Sequence, residues 1–144
     1  MTDHPFRIGE FIWSAFPQSE RPEQPGPGEH VAYTLAVSGV GGEFSAWMAY
    51  TTSRSWQGAV PQGVRVFDLL EAKSLGHRRA FVLDFRCVAY MPVTVKWFPQ
   101  LDTPSRGILG RAPKALRHEL QGLVTELFAQ HSEIVERRGP IPRR

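Results

Sequence analysis

Residues 80–98 read AFVLDFRCVAYMPVTVKWF, and the rest of the chain must pack around them. Side chains along a β-strand point alternately to its two faces. The apolar side chains predict a long strand with one fully buried face and one mixed face, the buried set being Phe81, Leu83, Phe85, Cys87, Ala89 and Met91. Pro92 cannot donate to a strand ladder, so the strand must bend, break or meet an edge there, and alternation resumes at Val93, Val95 and Trp97. A long, bent strand favours a small curved sheet or barrel.

The composition predicts one globular domain over residues 1–144. Four basic residues follow residue 136, so the net charge of +3 lies mainly in the tail and points only weakly to nucleic acid. We expect residues 1–5 and 139–144 to be disordered tails. With no long apolar run, no apolar leader and one cysteine, Cys87, the chain is expected to be cytoplasmic and not membrane-bound.

Three further strands are predicted, over residues 7–16, 30–38 and 44–52. The first is followed by a polar, Pro- and Gly-rich loop over residues 18–29, and a Gly-rich hairpin turn joins the other two. Residues 64–70 fit either a short strand or the first turn of a helix, and periodicity does not decide between them.

A long C-terminal helix is predicted from Pro113 onward, with Gly139-Pro140 as its stop signal. Its apolar residues recur at spacings of three and four, and they are Leu116, Leu120, Leu123, Val124, Leu127, Phe128, Ile134 and Val135. Strands first and one long helix last indicate a β-rich α+β fold in which the helix covers the sheet.

Familiar catalytic motifs are missing, including a phosphate-binding Gly-Lys motif, a GxSxG elbow and a His-Glu-x-x-His site. The five histidines are scattered, so neither a metal nor another cofactor is expected. The densest polar run is TTSR at residues 51–54, where a predicted strand enters a loop. Hydroxyls beside a guanidinium are suited to an anion, but a polar strand end of high β-propensity gives the same run.

Residues 9–16, GEFIWSAF, resemble the opening strand of the MazF/PemK (Kid) toxins. The elements that follow in that family also occur here in order: a Pro/Gly-rich loop, a strand ending in Ser, and a strand ending in Thr-Thr. The resemblance covers residues 7–54 and implies a small SH3-like or CcdB-like barrel that forms a homodimer. It also implies a growth-inhibiting toxin of a type II toxin–antitoxin system, with an antitoxin protein as partner. Such toxins cut single-stranded RNA without a metal, through a 2′,3′-cyclic phosphate.

The resemblance assigns the chemistry to a threonine and an arginine. Thr51 is the best match for the threonine, with Thr52 beside it, but no arginine stands at the start of the second strand, where His30 is the nearest basic residue. Imidazole titrates near neutral pH and suits a general acid or base. The catalytic candidates are Thr51, His30, Thr52 and Arg54, and the RNA-binding candidates are Arg54, Arg78, Arg79 and Trp13.

The missing arginine leaves two other hypotheses open. One is a non-catalytic relative that binds a protein partner, as the gyrase-poisoning CcdB-like members of the fold do. The other is a housekeeping binding module without toxicity.

Overall fold

A computed structural model describes residues 3–141 and has the predicted β-rich α+β fold. Within these residues, seven strands form one sheet, and two α-helices and a 3₁₀ turn (Ser132–Ile134) complete the chain. The elements are β1 (Glu10–Ser14), β2 (His30–Val40), β3 (Glu43–Thr52), β4 (Val64–Phe67), α1 (Leu69–Ser74), β5 (Phe81–Pro92), β6 (Ile108–Arg111), α2 (Lys114–His131) and β7 (Glu136–Arg138). Residues 64–70, left open by the sequence, contain both a strand and the start of a helix. Neither described α-helix is long and apolar enough to cross a membrane.

The strand order is β4-β5-β3-β2-β1-β6, and all neighbours in this order are antiparallel. Strand β7 pairs in parallel with residues 87–89 of β5, while β4 pairs with residues 81–84. The long strand β5 therefore has β3 on one side and two short strands in succession on the other. Within the described residues the sheet is open, with β6 at one edge and β4 and β7 at the other.

The prediction that the apolar side chains of β5 share a single face is wrong. Ala49 lies opposite Val88 but the next residue, Tyr50, lies opposite Asp84, so residues 85–87 form a bulge without partners in β3. An uneven insertion of this kind reverses which face the following side chains occupy. Phe81, Leu83 and Phe85 therefore share one core with Val88, whereas Cys87, Ala89 and Met91 pack into another.

The predicted continuation of the strand beyond Pro92 is also wrong. After Pro92 the backbone turns, and the N–H groups of both Trp97 and Phe98 donate to the carbonyl of Thr94. Proline has no N–H to extend the ladder, so β5 ends there. The turn buries Trp97 and Phe98 against one face of the sheet.

The two faces of the sheet carry separate cores. The helix-side core lies under α1 and α2, and includes Phe11, Tyr33, Ala49, Phe85, Val88, Leu120 and Leu127. The turn-side core lies under the N-terminal segment and the turn after β5, and includes Phe6, Ile12, Phe16, Ala32, Met48, Met91 and Phe98. Each strand between them contributes alternate side chains to the two cores.

The C-terminal helix is shorter than predicted. Helix α2 ends at His131, well before Gly139, and residues 136–138 form β7 instead of a last helical turn. Of the predicted tails, residues 1–2 and 142–144 lie outside the described residues. In the described part of the predicted N-terminal tail, the His4 ring is 3.1 Å from the Ser45 carbonyl and meets the Phe44 ring edge-on.

Candidate functional site

His30 and Thr52 lie on the same face of the sheet, at neighbouring strand ends. Ala32 of β2 is paired with Tyr50 of β3, and His30 is paired with Ser14 of β1. Side chains two residues apart on a strand share a face, so His30 and Thr52 share the turn-side face with Ala32 and Tyr50. The start of β2 and the end of β3 thus place an imidazole and a hydroxyl on the same face, each two residues beyond the pair Ala32–Tyr50.

Thr51 is not brought together with His30. Its side chain belongs to the helix-side face, where it is only 6% exposed. Its hydroxyl donates a hydrogen bond of 2.5 Å to the carbonyl of Val31 on the neighbouring strand. A buried hydroxyl that already donates to the backbone has no proton left to offer a substrate, so this side chain ties β3 to β2.

Thr52 and His30 are accessible where Thr51 is not. The Thr52 oxygen accepts a bond of 3.2 Å from the N–H of Arg54, which leaves the hydroxyl proton free. The His30 ring is exposed and turns toward Gly28, where a Cβ would lie 3.9 Å from its Nε2. Among the described residues, no side-chain partner holds either the His30 ring or the Arg54 guanidinium.

Three of the predicted RNA-binding residues lie at the same end of the sheet, and the fourth points elsewhere. Thr52 pairs with Val82 of β5, so the exposed turn that carries Arg78 and Arg79 lies beside Arg54. Trp13 pairs with Val31 and therefore faces the helix side, half-buried, next to Gly107. Arg54, Arg78 and Arg79 make this sheet end basic, and Trp13 is not part of it.

Sequence reasoning missed a polar cluster on the turn-side face, beside the β5 bulge. Tyr50 is paired with Asp84, whose two carboxylate oxygens accept bonds of 2.9 and 2.8 Å from Nε and Nη2 of Arg86. This bidentate pair holds the pKa of Arg86 above its ordinary value, with the hydrogen bond to Asp84 as the main cause. The Arg86 guanidinium also lies over the Trp56 ring, at 5.7 Å from its centre.

Arg138 of β7 enters the same face. Its guanidinium donates to Glu136 at 2.6 Å and to the carbonyl of Pro17 at 2.8 Å, and its side chain is 14% exposed. The pKa of Arg138 is raised mainly by the bond to Glu136, and Tyr50 is close enough to contribute. Arg138 is therefore a fixed guanidinium, ion-paired with Glu136, and it lies close to Tyr50, the residue two positions before Thr52 on this face.

The neighbouring Cys87 is not a nucleophile. Burial raises the pKa of its thiol to about 11, so the unreactive protonated form prevails at neutral pH. Cys87 was predicted to lie on a fully buried strand face, whereas its side chain is half-buried.

The signal for these missed residues is present in the sequence. Asp84 and Arg86, like Glu136 and Arg138, are opposite charges two residues apart. On a strand that spacing places an acid and an arginine on one face, where they can pair. The sequence analysis placed Asp84 and Arg86 on a mixed strand face without pairing them. It grouped Arg138 with a basic tail, because β7 has too few residues to be predicted as a strand.

No protein-family model matches this chain, and no curated protein matches it. Within residues 3–141, no three His, Cys, Asp or Glu side chains converge as metal ligands would.

The candidate site combines the imidazole of His30, the hydroxyl of Thr52 and several guanidinium groups. Such a set can bind a phosphodiester and transfer a proton near it.

Proposed function

We propose that this chain is a metal-independent endoribonuclease that cleaves single-stranded RNA through a 2′,3′-cyclic phosphate. The observation that carries the proposal is that His30 and Thr52 share one face at adjacent strand ends, with Arg54 at the same end of the sheet. The ordered resemblance of residues 7–54 to the MazF/PemK toxins supports the same reaction. We assign the catalytic hydroxyl to Thr52 in place of Thr51.

In the proposed reaction His30 removes the proton of a ribose 2′-hydroxyl. The 2′-oxygen forms a bond to the adjacent phosphorus, the bond from phosphorus to the 5′-oxygen breaks, and the leaving oxygen takes a proton from water. The Thr52 hydroxyl donates to a non-bridging phosphate oxygen as negative charge develops there. Arg54 supplies the positive charge that the family places at the start of the second strand, and the Arg138–Glu136 ion pair lies on the same face of the sheet.

The first prediction compares variants of neighbouring residues. His30→Ala should lower the cleavage rate by about 10²–10⁴-fold, because a positioned general base contributes that much. Thr52→Val should lower it by about 10²–10³-fold, the cost of removing one donor to a developing oxyanion. Thr51→Val should leave the rate within about threefold of wild type and act on stability instead, since a single neutral hydrogen bond is worth roughly 1 kcal/mol.

The measurement uses an end-labelled single-stranded RNA in a buffer with chelator, with cyclic phosphate ends identified by their resistance to direct ligation. Thr51→Val is the matched control for Thr52→Val, since the two changes are chemically identical. Loss of cleavage in Thr51→Val, with Thr52→Val fully active, would reverse the assignment of the hydroxyl.

We further propose that the chain acts in the cytoplasm as the toxin of a type II toxin–antitoxin system. A homodimer, an antitoxin protein that blocks the site, and a sheet curved as an SH3-like or CcdB-like barrel belong to this proposal. Expression in a bacterial host should stop growth, and His30→Ala should restore it. Undiminished growth on expression of the folded wild-type chain would exclude a toxin.

A non-catalytic relative that binds a protein partner is the second candidate. The observation that favours it is a cavity of about 230 Å³ between α2 and the sheet, lined by apolar side chains that include Leu35, Trp47, Val124 and Phe128. Apolar clefts with a polar rim are typical of docking sites, and Arg137 lines this one. Arrest of growth without RNA cleavage would favour this candidate, whereas cleavage that His30→Ala removes would exclude it.

A further inference from the structure

Five basic side chains lie around the start of α2, near the N-terminal end of β1. His30 is at the opposite end of β1, where it is paired with Ser14. The five side chains form what we call the α2-start surface: Arg7, Arg111, Lys114, Arg117 and His118. The surface exists because the N–H of Ala112 donates to the carbonyl of Gly9 at 2.8 Å, which fixes the start of α2 against the start of β1. A shallow cleft there is lined by Ile8, Lys114, Ala115, Arg117, His118 and Gln121.

The two central arginines are positioned by backbone carbonyls and not by carboxylates. Arg111 donates through Nε to Ile8 at 3.0 Å, and Arg117 donates through Nη1 to Ala112 at 2.7 Å. Among the described residues the one ion pair at this surface joins Arg7 to Glu10, at 3.8 Å. The charge of Glu10, which lies opposite Arg111 on the neighbouring strand, also acts on Arg111 and offsets part of the positive charge. The guanidinium N–H groups that do not donate to these carbonyls remain available to an external anion.

The Arg117 side chain packs against Gly9, in space that a Cβ would occupy. The φ of Gly9 is +93°, and a Cβ at this position would lie 2.5 Å from Cδ and 2.9 Å from Cγ of the Arg117 side chain. The arginine stem therefore packs into the notch that the glycine leaves. This fixed stem distinguishes the surface from a set of freely moving surface charges.

A largely buried phenol lies beneath the surface. Tyr33 is 2% exposed, but its hydroxyl oxygen is not enclosed, because the fully enclosed side-chain atoms without a partner among the described residues belong to Thr34 and His77. Burial raises its pKa to about 12, against the opposing effect of the charges of Arg117 and Arg111. The neutral hydroxyl thus remains a donor close enough to Arg117 and Arg111 for their charges to act on it.

Helix α2 adds its own positive end. It contains 18 residues, its first turn carries no acidic residue, and the cap residue Pro113 makes no side-chain capping bond. The first backbone N–H groups of such a helix remain free, and the helix dipole favours a negative group there. The dipole, the free N–H groups and the arginines all favour the same kind of ligand.

We propose that the α2-start surface binds backbone phosphates of a single-stranded nucleic acid. It would hold the same strand that the sheet end near His30 cleaves, so the proposal rests on the proposed function, but its test does not require cleavage. Phosphate recognition by arginines and a helix N-terminus carries no base preference, so binding should depend on salt and not on sequence.

The test measures binding of the full-length chain to a labelled single-stranded DNA, which lacks the 2′-hydroxyl and cannot be cleaved by the proposed reaction. The double variant Arg111→Gln/Lys114→Gln is compared with Lys73→Gln/Lys96→Gln, a pair of exposed lysines outside this surface and outside the site. Each lost phosphate contact should lower the salt dependence of log K by about 0.7. We expect the first variant to reduce the slope by about 1.4 and to bind roughly tenfold more weakly at low salt, with the second close to wild type.

Equal losses in the two double variants would mean that only net charge matters, and would overturn the proposal. Displacement of the DNA by millimolar inorganic phosphate at constant ionic strength would also overturn it, because it would indicate a site for a free phosphate ion. An RNA cleavage assay that fails while the two double variants still differ in DNA binding would overturn the proposed function alone.

Discussion

His77 is the histidine whose chemistry the fold changes most. Its ring stacks on Phe81, with ring centres 3.9 Å apart, and meets the edge of Phe11 at 4.7 Å. The side chain is buried, and its Nε2 has no hydrogen-bond partner among the described residues. Burial lowers the pKa of His77 to about 4, because a charged imidazole would lose its hydration between two aromatic rings.

This burial predicts a loss of stability in weak acid. The unfolded chain binds a proton at His77 near pH 6.5 but the folded chain only near pH 4, so lowering the pH through that window favours unfolding. The free energy of unfolding should fall by about 2 kcal/mol between pH 7 and pH 5. Urea unfolding at fixed pH steps measures it, and His77→Leu should flatten the curve. Parallel curves for wild type and His77→Leu would contradict the assignment.

The sequence could predict that His30 meets a threonine at neighbouring strand ends, but not which threonine. If the register at the hairpin turn ran straight to the strand ends, Thr51 would lie opposite Ala32 and share the face of His30. A bulge in β2 shifts the register by one residue, so Tyr50 takes that place and Thr51 turns to the helix side. No local pattern in the sequence marks this bulge, because the residues around it suit a strand in either register.

At the scale of elements, the short strand β7 completes the candidate site. It adds to β5 where β4 has ended, and it carries Arg138 onto the turn-side face. Gly139 follows it with φ of +96°, and a Cβ at that position would overlap the carbonyl oxygen of Tyr90. The backbone of β7 can therefore approach β5 only with glycine at its end.

We predict that Gly139→Ala lowers the free energy of unfolding by roughly 1–3 kcal/mol, through backbone strain and steric overlap. It should also increase hydrogen exchange in β7, because the contact that holds β7 against β5 is lost. The matched control is Gly122→Ala, an exposed helix position with open space around it, which should stabilise by about 0.5–1 kcal/mol. Equal effects of the two changes would show that β7 is not held by this close contact.

Long periodicity predicted that an element exists, although not where α2 ends or which faces β5 presents, and short periodicity left β7 unpredicted. The apolar stripe of α2 and the alternation in β2 and β3 each run over several turns or residues, and both elements are found. Strand β7 has 3 residues and alternates too briefly to be recognised. It forms because β5 leaves an edge free beyond β4, which is a tertiary cause that a local pattern does not contain.

For the whole molecule, the sequence indicated a β-rich domain with a covering helix but only one buried face. The second core arises because the turn after Pro92 folds Trp97 and Phe98 back over the sheet. The sheet thus becomes the middle layer of three, with its strands shared by both cores. Because the two cores share these strands, we predict that they unfold together.

Two substitutions on opposite sides of the sheet test this arrangement. Leu120→Ala in the helix-side core should cost about 2–5 kcal/mol and Ile12→Val in the turn-side core about 0.5–1.5 kcal/mol, since both side chains are fully buried. Because the sheet separates them and they share no contact cluster, the double variant should equal the sum within about 0.5 kcal/mol. Urea unfolding followed by tryptophan fluorescence and by circular dichroism should give one coincident transition in all variants. Two separate transitions in Leu120→Ala would mean that the cores unfold independently, and the sheet would then be a boundary between two units and not the shared layer of one.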